Sequence, residues 1–201
     1  MPKISDERRA ARRAQILEAA WSCFQREGLH ATSMDDIIRA SGLSAGAVYS
    51  YFPSKEELIL AAVTTSLGGL RSLFEPMLDA RPALPPEAFV GEVVATIADF
   101  TAREGYDLRR IALLGWAEAQ RSERLRETMR GFYLGFRGRL VEVAEAWQAA
   151  GQLRPDASPE QVAKAVLAAI LGYVVQSALL GDVSADDLAG GLRGLGAGVG
   201  Q

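Results

Sequence analysis

The sequence has one cysteine and one histidine in 201 residues, and these two scarcities remove much chemistry at once. Cys23 alone can form no internal disulfide and no cysteine-based zinc site. A histidine metal site or a Ser/His/Asp triad would rest on His30, and His30 falls in a loop, where a solvated imidazole is expected. Strand signals are nearly missing. Long apolar runs are missing too: the longest, AVLAAILGYVV at 165–175, has eleven residues, against about twenty needed to cross a bilayer. The charged start, MPKISDERRAARRAQ, has no apolar stretch of the kind a secretory signal carries. Eight prolines and twenty glycines are too few to mark disorder. No internal repeat, nucleophile–base pair or phosphate-binding glycine loop is readable. These absences predict a cytoplasmic protein with no membrane partner, no metal and no cofactor.

What is present is helical material. Apolar residues make up 49% of the chain and charged ones 23%, enough for a sizeable core. The net charge of −3 argues against non-specific polyanion binding by the whole molecule. Yet residues 1–55 hold eight Lys/Arg against six acids, and four of those bases are Arg8, Arg9, Arg12 and Arg13. A basic tip on an acidic body fits a nucleic-acid contact confined to one end.

Periodicity predicts an all-α chain of about nine helices. The first runs from about residue 5 to 27, with Ile16, Leu17, Ala20, Cys23 and Phe24 as its apolar stripe and Gly28 ending it. Cys23 on that stripe reads as a small core residue. Thr32 or Ser33 caps a short helix carrying Asp35 and Asp36 in its first turn, favourable for the helix dipole. Gly42 stops it, Ser44 caps a second short helix through Tyr51, and Pro53 prevents continuation. Ser54 then opens a long helix through a capping box with Glu57. Further helices are predicted at about 55–80, 86–103, 106–120, 122–151, 158–181 and 184–197, the fifth of these opening on a Ser158–Gln161 capping box. The glycine-rich last dozen residues are expected to fray.

Two short helices joined by a glycine turn and flanked by a third describe a helix-turn-helix. With Gly42 as the turn glycine, Ile37, Ile38 and Val48 fall at the inward positions. Val48 and Phe52 share one face, and neither Tyr49 nor Tyr51 can join it fully. A half-buried tyrosine presents its hydroxyl at a fixed height, suited to a phosphate oxygen. Ser44, Ala45, Gly46 and Ala47 leave the front of the recognition helix nearly bare, permitting close backbone approach, and its N terminus favours a phosphate. Lys55 would add a charge nearby.

The stretch G28-x-x-x-T32-S33-M34-x-x-I37, followed by G42-L-S-x-G46-x-x-Y49-x-Y51-F52-x-S54-K55, resembles the N-terminal signature of TetR-family transcriptional regulators. The resemblance covers about residues 10 to 60; later helices match only in number, order and length. It implies that Ser33, Tyr49, Tyr51 and Lys55 hold phosphates, with Thr32 at the start of the same helix, and that Ser44 to Ala47 lie nearest base edges. Two departures stand out. Ile38 replaces a common alanine, and Ala45 occupies a position where a polar or basic residue is frequent, so shape readout of the DNA would contribute more.

The division expected is a DNA-binding domain over 1–54 and a ligand-binding and dimerisation domain over 55–201. Helix 158–181 is apolar nearly all round, which implies burial between subunits, and 184–197 is rich in small residues; together they look like the family's four-helix dimer interface. Helix 122–151 carries Leu125, Met129, Phe132, Phe136, Leu140, Val143 and Trp147 as a stripe, with Gly131, Gly135 and Gly138 among them. The resemblance implies an apolar pocket, for which Phe100, Trp116, Phe132, Phe136 and Tyr173 are candidates. Glu92, Thr96, Asp99 and Arg103 form a solvated polar stripe. The function expected is a homodimeric, ligand-responsive repressor released from a (pseudo)palindromic double-stranded operator by an unidentified small, mainly apolar effector. A small helical enzyme acting on a hydrophobic substrate and a ligand-independent architectural DNA-binding protein are the alternatives.

Overall fold

A single backbone reversal sets up the N-terminal half. In the computed structural model, which describes residues 6–103 and 106–196, α1 (Asp6–Ala31) is broken at Gly28, whose φ of 82° and ψ of 166° are non-helical. The periodicity placed the stop at this glycine. The stripe it predicted is buried: Ile16, Leu17, Ala20, Cys23 and Phe24 form the core of this half. Burial pushes the Cys23 thiol up, so it is an inert core group.

After the break, α2 (Met34–Ser41) is capped by Ser33, not Thr32. Ser33 N–H donates to Asp36 Oδ2 at 2.9 Å, and Asp36 N–H donates to Ser33 Oγ at 3.2 Å, so both halves of a capping box are made. Gly42 closes α2 in the left-handed region with φ of 67°. Ser44 caps α3 (Ala45–Tyr51) by accepting from Ala47 N–H. Phe52 is the extended C-cap of α3 rather than a helical residue, though it is as buried as Val48 on the same side. Ile37 is fully buried, whereas Ile38 is only half-buried. The larger side chain at that departure from the family pattern therefore sits at the margin of the packing, not inside it.

The remaining helices are α4 (Lys55–Asp79), α5 (Pro86–Thr101), α6 (Leu108–Glu118), α7 (Glu123–Ala149), α8 (Pro159–Leu179) and α9 (Ala185–Gly196), which makes nine among the described residues. Two two-residue strands, β1 (Ala102–Arg103) and β2 (Tyr106–Asp107), occupy positions predicted as helix. Asp107 accepts from Arg109 N–H at 2.8 Å, and this side-chain cap delays α6 to Leu108. The Ser54 and Ser158 capping boxes are half made. Each serine accepts the expected backbone N–H, from Glu57 and Gln161, but the Glu57 carboxylate pairs with Arg124 instead. A full box that the sequence reading passed over joins Ser184 and Asp187 ahead of α9.

The chain forms two compact units, Met1–Ser66 with Arg103–Leu125, and Leu67–Ala102 with Arg126–Gln201. The boundary expected at 54/55 lies inside the first unit, because the opening turns of α4 bury Leu58, Ile59 and Ala62. In the first unit, α6 packs on α1. In the second, α5 packs on both α8 and α9. A Cβ on Gly91 would meet Ala189 Cβ at 3.2 Å, so a glycine is what lets α9 lie this close to α5. Trp147 packs edge-on to Phe89 at 5.5 Å, and its Nε1 donates to Leu84 O.

Along α8, one chain covers only part of the helix surface. Ala163, Ile170, Tyr173, Val174 and Ser177 are buried, while Leu179 and Leu180 are 68% and 66% exposed. α4 and α8 are also long and apolar enough, by length and composition, to cross a membrane. The eleven-residue limit read from the sequence counted uninterrupted runs, whereas here polar residues and single charges, Arg71 in α4 and Lys164 in α8, interrupt the apolar stretches. On the polar side of α5, Glu92 and Asp99 are exposed and Thr96 is half-buried; the Arg103 side chain lies outside the described residues. Also outside them are residue 5, at the start of the predicted N-terminal helix, and residues 197–201; the earlier part of the glycine-rich end, expected to fray, is instead the last part of α9.

Candidate DNA-binding site

The turn between α2 and α3 is held from three directions. Ser41 Oγ donates to Ile38 O at 2.9 Å and accepts from Leu43 N–H at 3.3 Å. Gln15 Nε2, from α1, donates to Ser41 O at 2.8 Å. With Gly42 in its left-handed conformation, these bonds leave the turn little freedom, and α3 leaves it in a fixed direction. Val48 anchors the inner face of α3. Its outer face presents Ser44, Ala45 and Gly46 exposed and Ala47 half-buried. Tyr49 is 46% exposed one turn after Ala45, and Tyr51 is half-buried one turn after Ala47. The surface is thus a shallow, side-chain-poor strip bordered by two phenols, open enough for a close approach of backbone to a ligand.

The predicted phosphate-holding residues divide into two groups. Ser33, Tyr49 and Tyr51 are at least partly exposed. The Ser33 hydroxyl is committed to the cap, donating to Asp36 Oδ2 at 2.6 Å; this bond and the Ser33 N–H hold the Asp36 carboxyl below its usual range. Thr32 is different. It is 0% exposed, and its hydroxyl donates to Gly28 O at 2.8 Å and Cys23 O at 3.2 Å. It closes the C-terminal end of α1 from inside and offers no side-chain group to DNA. Lys55 supports the same end from outside, donating from Nζ to His30 O and Thr32 O, both at 3.0 Å. An ammonium has three protons, so one remains for a phosphate. No sequence window could have shown these bonds, since they span 23 and 25 residues.

His30 is exposed, at 67% for its side chain, but is not merely solvated. Its Nε2 lies 3.2 Å from Glu118 Oε2 and 3.2 Å from Arg121 Nη1. Among the described residues, no group of three or more His, Cys, Asp or Glu is placed to hold a metal ion.

Comparison with known proteins agrees with this geometry over both halves of the chain. The family described as bacterial regulatory proteins, tetR family, matches residues 16–62, and the BetI-type transcriptional repressor C-terminal family matches residues 86–190, more than half the chain. The chain belongs to the TetR family. Relatives include the uncharacterized HTH-type transcriptional regulator YfiR of Bacillus subtilis, 45% identical over 36% of either chain. That match therefore spans only about a third of the relative's length. The HTH-type transcriptional regulator BetI of Rhizobium meliloti is 29% identical over 89% of this chain and 83% of its own. Among solved structures, Salmonella enterica GusR superposes with a TM-score of 0.72 at 27% identity, covering 96% of this chain and 98% of that one. The all-α TetR fold and the role of a DNA-binding, ligand-responsive transcriptional regulator follow.

The effector candidates of this TetR-family regulator are not gathered in one place. Phe132 and Phe136 line an open groove between α4 and α7, together with Arg71, Phe74, Gly131, Gly135 and Arg139. Its rings run nearly parallel, Phe74 to Phe136 at 5.0 Å and 28°, Phe132 to Phe136 at 6.4 Å and 21°. Cβ atoms added at Gly131 and Gly135 would meet nothing within 4 Å, so these glycines leave room in the groove wall. Phe100 lies instead over Gly69, and Tyr173 is buried in α8. Trp116 belongs to the other compact unit. Sequence reasoning did not single out Phe74, Arg71 or Arg139, because these meet the groove through the pairing of α4 with α7 and not through any local pattern.

Proposed function

We propose that the chain is a homodimeric repressor whose α3 helices enter successive major grooves of a (pseudo)palindromic operator, and that a small, mainly apolar effector releases it. The observation that carries the DNA half is the bare outer strip Ser44–Ala47, bordered by exposed Tyr49 and delivered by a turn pinned to α1. Close approach to base edges needs small residues there, and Tyr49, Tyr51 and the remaining Lys55 proton supply positioning contacts to phosphates. Ala45 offers no hydrogen bond, so groove shape carries part of the sequence preference. Two-fold symmetry sets half-site centres about 34–36 Å apart, or a multiple of that.

Dimerisation is supported by the leucines that α8 and α9 leave uncovered in one chain, Leu179, Leu180 and Leu195. A second copy covers them. The groove lined by Phe74, Phe132 and Phe136 is where the effector binds, and it acts only through a preference for the conformer that fits the operator poorly. A DNA partner places the protein in the cytoplasm. The test is fluorescence anisotropy with DNA from immediately upstream of the protein's own gene. Saturable, competitor-resistant binding, weakened several-fold by Tyr49→Phe and reversed by an apolar compound, is the expected result. If neither this DNA nor any from a random-sequence selection binds specifically, the reading is wrong.

A further inference from the structure

The first two turns of α1 carry Arg8, Arg9, Arg12 and Arg13, and the operator contact described above uses none of them. At i, i+1, i+4 and i+5 the four side chains fall on one face of the helix. Arg8, Arg9 and Arg13 are exposed and Arg12 is half-buried. With Asp6 and Glu7 counted, residues 6–15 hold four bases and two acids, a surplus of two on a chain whose net charge is −3.

Two contacts fix this face relative to the helix-turn-helix. Gln15 holds the carbonyl of Ser41, at the turn that delivers α3. The Arg13 guanidinium lies over the Phe52 ring, 5.4 Å from its centroid, at the other end of α3. Arg13 Nη1 also donates to the Thr65 hydroxyl at 3.3 Å. Arg13 therefore stays exposed while its guanidinium is engaged by Phe52 and Thr65, and the face continues past it. At about 1.5 Å rise per residue, Arg12 and Arg8 stand roughly 4.5 and 10.5 Å along α1 from Gln15. That reach is on the scale of neighbouring phosphates, which on each strand rise about 3.4 Å apiece along the duplex axis. A positive face of this reach, rigidly tied to both ends of a DNA-reading helix on an otherwise acidic molecule, matches a polyanion contact in sign, size and place.

We infer that Arg8, Arg9 and Arg12 form a second DNA contact, clamping backbone phosphates that flank the half-site read by α3. This rests on the operator reading above and adds affinity to it without adding sequence preference. The experiment measures operator binding by the full-length protein over a series of salt concentrations. Wild type is compared with Arg8→Gln/Arg9→Gln/Arg12→Gln, with Arg12→Gln alone, and with Arg154→Ala as a control on the other compact unit. Glutamine keeps helix propensity, and a thermal melt checks that each variant is folded. For a dimer on its operator each substitution removes one phosphate contact from both protomers, so the slope of log K against log salt should become shallower by about 1.8 per substituted arginine, and the control should leave it unchanged. The single variant carries the test if the triple one does not fold. A folded variant with the wild-type slope, or a control that lowers the slope equally, overturns the clamp while the operator reading stands. Absence of specific binding by the wild type overturns both.

Discussion

Thr32 shows how a residue can match a DNA-binding signature for a structural reason. Its hydroxyl bonds two carbonyls at the end of α1, so Thr32→Val, which keeps the shape and removes the donor, should cost about 1 kcal/mol in urea unfolding. Operator affinity of the folded variant should change less than twofold. Ser33 acts at the surface of the same junction. Its partner Asp36 has a carboxyl held low by the Ser33 hydroxyl and N–H. A depressed folded-state value means that the contribution is fully present above the unfolded-state value and is lost as pH falls through the folded one. Comparing Asp36→Asn with wild type from about pH 6 down to about pH 2 should therefore show a stability gap that closes on the acid side. A gap independent of pH would refute the capping role of the ionised carboxylate.

At the scale of the element, the same chemical change should have different consequences on two helices. On α7 a Cβ at Gly138 meets nothing within 4 Å, so Gly138→Ala should stabilise by up to about 1 kcal/mol through helix propensity. On α4 a Cβ at Gly69 would stand 2.8 Å from the Phe100 ring. Gly69→Ala must displace that ring, and its melting temperature should fall below that of Gly138→Ala. Gly135→Leu, in the groove wall, should blunt the effector response at least tenfold and leave operator affinity intact. Equal effector response in wild type and variant would move the effector site elsewhere.

For the whole molecule the exposed ends of α8 and α9 make the clearest claim. Leu195 is 80% exposed, and Leu179 and Leu180 are likewise left uncovered by one chain. Light scattering at micromolar concentration should return a dimer for wild type. Leu179→Glu/Leu180→Glu should shift it toward monomer and weaken operator binding by at least tenfold, since half-sites would then be bound one at a time. A wild-type monomer would remove the two-fold operator geometry as well.

The sequence by itself determined whatever depends on neighbours a few residues apart. Helix phase was readable because 3.6-residue periodicity aligns Ile16, Ala20 and Cys23. Chain reversals were readable because only glycine sits easily at the φ of 67° found at Gly42. The helix-turn-helix was legible for the same reason, its parts lying within about two dozen residues. Tertiary structure decided everything carried by distant partners. Lys55 turned out to hold carbonyls of His30 and Thr32, Glu57 was drawn from its cap to Arg124, and His30 was paired with Glu118. The opening turns of α4 joined the first unit, and two of five effector candidates reached the groove. Charge and hydrogen-bonding capacity are fixed by residue type, but their partners are chosen by packing, and packing brings together residues that share no local pattern.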